Sequence, residues 1–298
     1  MSNKELFANS AVIQWLLEDD NLAVKYRTQT EILDIPKDSA EVELTYKFLL
    51  TSDIVKSITA LFEVNKNYSD AHALCALTEC GLTRNDIDID RYVNRLIANT
   101  NFRDGCGEGL LLRNLIALGF IEHDAVKKEL PIFLATQQSD GGFPCISKNP
   151  KINKPNVPHK SCFQITVSYL LLTAEMYKKN IDAPQAKGII QYFLGRDVLY
   201  RRDDLSRLIK ECHASTFHPP VCTRIGLHMT LCALSILGNG NDSGCKRAWE
   251  LLYKRRDDSG KYILDDSLTK PYIKAGKKGK PSKWITFYAL LAEKYRTE

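Results

Sequence analysis

The sequence predicts an all-α protein built from helical hairpins. Three observations carry that expectation. Apolar segments that can be buried on both sides alternate with amphipathic segments that need one buried face. Several apolar segments stop at a glycine, at Gly81, Gly119 and Gly238. No convincing run of strands interrupts the pattern.

The elements can be justified in chain order. Ser10 caps a short helix, Ala-Val-Ile-Gln-Trp-Leu-Leu, that ends at Glu18-Asp-Asp, an acidic turn. Val24, Thr28, Ile32 and Leu33 mark a second helix. Ile35-Pro36-Lys-Asp-Ser39 is a break that caps a helix over 40–51. Beyond it, 69–80, 107–118, 160–177, 221–237 and 283–295 read as apolar helices. Segments 86–98, 124–137, 184–195 and 243–256 read as their amphipathic partners. The glycine stops lie 38 and then 119 residues apart, and Tyr177 falls near the middle of the long gap. Such spacing describes a degenerate helical-hairpin repeat.

Composition bounds the rest. The chain has 298 residues, 44% hydrophobic and 26% charged, as in ordinary globular proteins. A net charge of +5, from 41 basic and 36 acidic residues interspersed, argues against a nucleic-acid partner. No segment approaches the roughly 20 apolar residues that span a bilayer. The opening Met-Ser-Asn-Lys-Glu lacks a signal-peptide core. Nine cysteines form an odd set, and Cys75, Cys80, Cys162 and Cys232 lie inside apolar helical patterns, where a free thiol packs as a small hydrophobe. A reducing, cytoplasmic compartment without disulfides is expected.

Helix pairs in series form either an open solenoid or a closed toroid. Four apolar segments begin with polar or Cys/His-bearing residues: Arg103-Asp-Gly-Cys-Gly-Glu, Pro158-His-Lys-Ser-Cys, Phe217-His-Pro-Pro-Val-Cys and Pro281-Ser-Lys-Trp. Their recurrence at one end of successive inner helices favours closure. Residues 1–50 then form an N-terminal helical cap and 51–298 an α/α-toroid domain.

Lys127-Lys-Glu-Leu-Pro-Ile-Phe-Leu-Ala-Thr-Gln-Gln-Ser-Asp-Gly-Gly-Phe143 resembles the glutamine-glycine repeat of the squalene/hopene cyclase and protein prenyltransferase β-subunit superfamily. Leu252 to Tyr262 and Leu96 to Gly105 are weaker copies. The opening Trp15 to Arg27 and the ending Gly279 to Leu290 resemble bacterial proteins of the same repeat family. The resemblance implies an (α/α)6 toroid and a transferase or cyclase acting on an isoprenoid or other apolar substrate. The Asp-x-Asp-Asp acid of protonating cyclases and the Asp-Asp-x-x-Asp string of ionising synthases are missing, which disfavours standard polyene cyclisation. Asp104-Gly-Cys106 followed by His159 is similar to the zinc set of prenyltransferase β-subunits, although a repeat turn intervenes. Cys212-His213 echoes the Cys-His pair of lanthionine cyclases without that family's glycine setting.

Thiolate and imidazole favour zinc. The expected mononuclear site comprises Cys106, Cys145 and His159, with Asp104 as ligand or support. A metal-free alternative makes Cys106 a nucleophile with His159 or His218 as base. A third reading leaves these as small residues packed at helix starts, and the protein as a binding or partner protein. His218, at the rigid Phe217-His-Pro-Pro220 turn, is a candidate acid/base or anion contact, with Arg224 beyond it. Lys283 and Trp284 follow a basic, glycine-rich loop over 274–283 that suits phosphate. Arg103, Glu108, Arg113 and Asn114 are candidates to line the axis, where an ionisable residue needs a partner. His72, His123 and His228 read as packing or surface residues.

Overall fold

The computed structural model describes residues 10–64, 66–99, 108–145, 160–209, 214–220, 224–267 and 273–297. Among them the chain is mostly helical: α1 (Ala11–Leu16), α2 (Leu22–Arg27), α3 (Ala40–Thr51), α4 (Asp53–Ala60), α5 (Asn67–Glu79), α6 (Asp90–Asn99), α7 (Glu108–Ala117), α8 (Asp124–Leu134), α9 (Phe163–Lys178), α10 (Ala186–Leu194), α11 (Leu227–Ile236), α12 (Lys246–Tyr253) and α13 (Lys283–Thr297). A π-helical stretch, Thr28–Ile32, extends α2. Neither α4 nor the antiparallel hairpin β1 (Tyr200–Arg201) and β2 (Asp204–Leu208) is expected from sequence, and the strands are too short to show alternation. No helix among the described residues is long and apolar enough to cross a membrane.

The apolar helices α5, α7, α9, α11 and α13 pack against one another in series, and α6, α8, α10 and α12 each lie on the preceding one. Burial matches the sequence pattern. Every described residue of α9 from Gln164 to Met176 is buried, whereas α10 buries only Ile189, Tyr192 and Phe193. The last helix, α13, also packs on α2 and the π-helical stretch, bringing the two ends of the chain together.

Four apolar helices end in one motif. Leu82 N–H bonds Leu77 O and Gly81 N–H bonds Thr78 O, and the same pair recurs at Gly119–Phe120 and Gly238–Asn239. At the end of α9 the left-handed position is filled by Asn180, φ 56°, with Ile181 N–H on Met176 O. These are Schellman caps, which satisfy carbonyls left open at a helix end. Asn tolerates the left-handed region almost as glycine does, so the unit with no glycine at its stop keeps the same cap.

The helices meet around buried charge. Glu79 at the end of α5 is 1% exposed and accepts from Arg27 (3.2 Å), from Arg113 on α7 (2.6 Å) and from the Tyr288 hydroxyl on α13. Arg27 also holds Glu31 at 2.5 Å and lies 4.5 Å over the Phe287 ring. Lys178 on α9 extends the set to Glu31 at 3.7 Å and Glu175 at 3.6 Å. Three cations thus face three carboxylates. Burial would raise the Glu31 carboxyl, but Arg27 and Lys178 outweigh it and hold it at about 2. Glu79 is lowered for the same reason, by Arg113 and Arg27.

Replacing Glu79 removes the carboxylate that Arg113 bonds and one of the two that hold Arg27. Breaking one partner of a buried pair costs about 3–5 kcal/mol, so Glu79→Gln should lower the denaturant midpoint by that equivalent. Because the folded-state value of Glu31 lies below its ordinary 4.5, its contribution is present above that pH. Wild-type stability should therefore fall as pH drops from 4.5 towards 2. A Glu79→Gln variant as stable as wild type would show that the charges are not held in this arrangement.

Candidate functional site

The glutamine-glycine turn builds the site. Gln137 Nε2 donates to Gly141 O (2.9 Å) and to Gln185 O before α10 (3.1 Å), tying the turn to the next hairpin. Gly141 has φ +83°, and a Cβ there would lie 2.0 Å from Gly188 O on α10. The amide of Phe143 bonds the Thr166 hydroxyl on α9 at 2.9 Å, and Cys162 N–H bonds Phe143 O at 2.8 Å. Phe143 then stacks on Tyr169 with centroids 4.0 Å apart.

The turn at 257–262 repeats this wiring. Gln138 N–H bonds Gly142 O and Gly141 N–H bonds Gln138 O; Asp257 pairs with Lys261, and Gly260 with Asp257, in the same way. Tyr262 N–H bonds the Thr286 hydroxyl at 2.9 Å and Ser282 N–H bonds Tyr262 O at 2.9 Å. The weaker sequence copy therefore repeats these backbone and hydroxyl bonds, with Ser282 standing where Cys162 stands and Arg256 in place of Gln137.

Beside the first turn lies a cavity of about 870 Å³. Its walls are the turn (Gln138, Ser139, Asp140), the start of α9 (Lys160 to Gln164), the end of α10 (Tyr192, Arg196) and the hairpin (Arg201, Arg202, Asp203), with Ile209. A second hollow of about 370 Å³ shares Asp140, Tyr192 and Arg202 with it. Four cations face two carboxylates. Arg201 pairs with Asp203 (3.3 Å), and Arg202 lies 3.7 Å from Asp140. Asp140 also accepts from Ser161 Oγ (2.5 Å) and Gly142 N–H (3.0 Å).

Arg196 has no such partner among the described residues. It is 8% exposed, its Nε donates to Tyr192 O at 2.9 Å, and its carbon sits 3.6 Å over the Tyr192 ring. Its terminal nitrogens make no hydrogen bond to the described residues. Burial pulls this guanidinium below its ordinary range, only partly offset by Tyr192 and Asp140, whereas the paired Arg27 and Arg113 are raised. The next two residues, Asp197 and Val198, have φ 45° and 66°, a costly conformation for a β-branched residue. Val198 N–H on Phe193 O (2.9 Å) and Arg247 on Asp197 (2.9 Å) hold this bend, which aims the hairpin back over the cavity.

Several of the residues expected from sequence fall outside the described residues, and the described ones are spread over several elements. Asp104, Cys106, Arg103 and His159 lie outside the described residues, as do Cys212 and His213. Glu108 begins α7, and Cys145 is half-buried one residue past Pro144, which bridges to Ser161. Among the described residues no cluster of three or more His, Cys, Asp or Glu is placed to hold a metal. His218 is fully buried, with Nδ1 2.8 Å from Pro219 O and its ring 6.1 Å from that of His228. Arg224 is half-buried ahead of α11. Lys283 is 6% exposed and bonds Glu18 (3.1 Å) and Asp20, so the acidic turn of the N-terminal segment neutralises it. Trp284 is a core residue, 0% exposed. Arg113 lies at the helix junction with Glu79 as the partner its burial demands, and Asn114 is buried beside it. Sequence reasoning missed Arg196, Arg201 and Arg202; three arginines within seven residues after a helix end are the available signal.

The chain matches no protein-family model, no curated protein and no solved structure.

The two turn glycines offer a paired test. At Gly141 an added Cβ meets backbone at 2.0 Å, while at Gly260 the nearest atom is Val12 Cβ at 3.8 Å. Gly260→Ala should lose roughly 1–2 kcal/mol for its left-handed φ alone. Gly141→Ala should lose clearly more, read as a larger drop in melting temperature. Equal drops would mean that the turn does not touch α10.

Proposed function

We propose that the chain is an α/α-toroid whose basic cavity binds an anionic small molecule, and that it acts as a transferase or cyclase on an isoprenoid or other apolar substrate bearing a phosphate or carboxylate group. One observation carries the anion reading: Arg196 is a buried cation lining a cavity, with its terminal nitrogens unbonded among the described residues. A largely buried guanidinium with no hydrogen-bonded carboxylate among the described residues is costly, and a ligand anion would supply that partner. Phe163, Ile209 and the Tyr192 ring give the same cavity an apolar side. Ring closure is supported by the series α5, α7, α9, α11, α13, by the contact of α13 with α2, and by the duplicated turn wiring.

The zinc centre from Cys106, Cys145 and His159, with Asp104, belongs to the same proposal. Bound zinc would lower the pKa of a thiol or water there. Of that set only Cys145 is described, beside the strand bridge that opens α9. The anion site therefore carries the reading on its own.

Calorimetric titration with inorganic diphosphate tests it. Wild type should bind saturably, and Arg196→Gln should weaken binding roughly ten-fold or more, the scale of one charge-assisted hydrogen bond. Lys274→Gln, in the basic loop, should leave the affinity unchanged. Absence of binding, or binding indifferent to Arg196, would overturn the reading. Elemental analysis of protein purified without a histidine tag addresses the metal: about one zinc per chain, lost in Cys106→Ala, is expected. A metal-free protein that still binds diphosphate would be a binding protein rather than a zinc enzyme.

A further inference from the structure

The cavity holds a thiol as well as a cation. Cys162 is the N-cap residue of the 16-residue helix α9, half-buried and lining the cavity together with Arg196. The Tyr192 ring lines the same cavity, and the guanidinium of Arg196 covers it at 3.6 Å. Other described cysteines are placed differently. Cys80, Cys232 and Cys245 are buried, and burial pushes each thiol up to about 12, which silences them as nucleophiles. The position itself does not require sulfur, since the equivalent turn places Ser282 there.

A cysteine at a helix start is not a site by itself. The independent observation is Arg196, more than nine-tenths buried, with its terminal nitrogens unbonded among the described residues, lining the same cavity. Arg202, on the hairpin opposite, adds a second cation beside it. An anionic group bridging these two would hold the carbon next to it against the start of α9.

We propose that Cys162 is a nucleophilic site for carbon electrophiles carrying a carboxylate or phosphate, which Arg196 and Arg202 hold while the thiol reacts. The inference rests on the anion reading of the cavity. In the step, a sulfur lone pair forms the S–C bond as the bond from that carbon to its leaving group breaks. The bonding pair departs with the leaving group, and the thiol proton passes to water.

Iodoacetate and iodoacetamide differ in the carboxylate alone and test this directly, with labelled sites located by peptide mass. Relative to free cysteine, Cys162 should prefer iodoacetate over iodoacetamide by roughly ten-fold or more, the scale of one charge-assisted hydrogen bond. Arg196→Gln should abolish that preference, read as the ratio of the iodoacetate to the iodoacetamide rate at Cys162 within the variant. Inorganic diphosphate should slow iodoacetate labelling of wild type. Cys162→Ser, which copies the residue of the second turn, should fold and lose the label. If diphosphate binds through Arg196 but Cys162 shows no charge preference, this inference falls and the cavity reading stands. If diphosphate does not bind and no preference is seen, both fall.

Discussion

Glu79 is the point on which the architecture depends. One buried carboxylate at the end of α5 takes hydrogen bonds from α2, α7 and α13, elements drawn from the start, the middle and the end of the chain. A carboxylate has acceptor sites for all three donors, and without it Arg113 would be left in the interior with no hydrogen-bonded carboxylate among the described residues. Such networks contribute little net stability over a well-packed apolar core, but they define which helices meet. The π-helical stretch after Arg27 belongs to the same device. It carries Glu31 to the other side of the guanidinium and lets Lys178 and Glu175 of α9 join.

At the glutamine-glycine turn the same chain solves a different problem. Gly141 and Gly142 let one hairpin lie against the next, and the bonds from Gln137, Phe143 and Cys162 fix the start of α9. The cavity results from the bend after α10: the left-handed Asp197 and Val198 turn the chain into a hairpin that faces the turn across open space. Strain there, a buried arginine with no hydrogen-bonded carboxylate among the described residues and a half-buried thiol all border this cavity. In the second copy of the turn, Ser282 replaces the thiol, and the lysine that comes after it is neutralised by Glu18 and Asp20. Two units with the same wiring thus differ in the chemistry that they present.

The repeat was legible because it rests on backbone needs. Positive φ at Gly81, Gly119 and Gly238 favours glycine, and helices buried on both sides are mostly apolar. The stop at Asn180 was harder to see, since asparagine fills that position without announcing it. Arg113 could be expected to have a buried partner because ionisable residues on an apolar helix need one, yet the partner, Glu79, lies 34 residues away on another helix. Lys283 illustrates the limit. Its basic, glycine-rich surroundings suggested an anion, but whether a lysine is free depends on what folds onto it, here an acidic turn 263 residues earlier. Arg196 was overlooked for the converse reason, because nothing local distinguishes an arginine with a partner from one without.

A double-mutant cycle between Arg27 and Tyr288 measures the central contact most directly. The two lie 261 residues apart and are joined at 3.2 Å beside the same carboxylate. Equilibrium unfolding of Arg27→Met, Tyr288→Phe and the double variant should give a coupling energy of about 0.5–3 kcal/mol, as for residues in one hydrogen-bond network. Strict additivity of the two losses would contradict the account, because the ends of the chain would then not meet at Glu79.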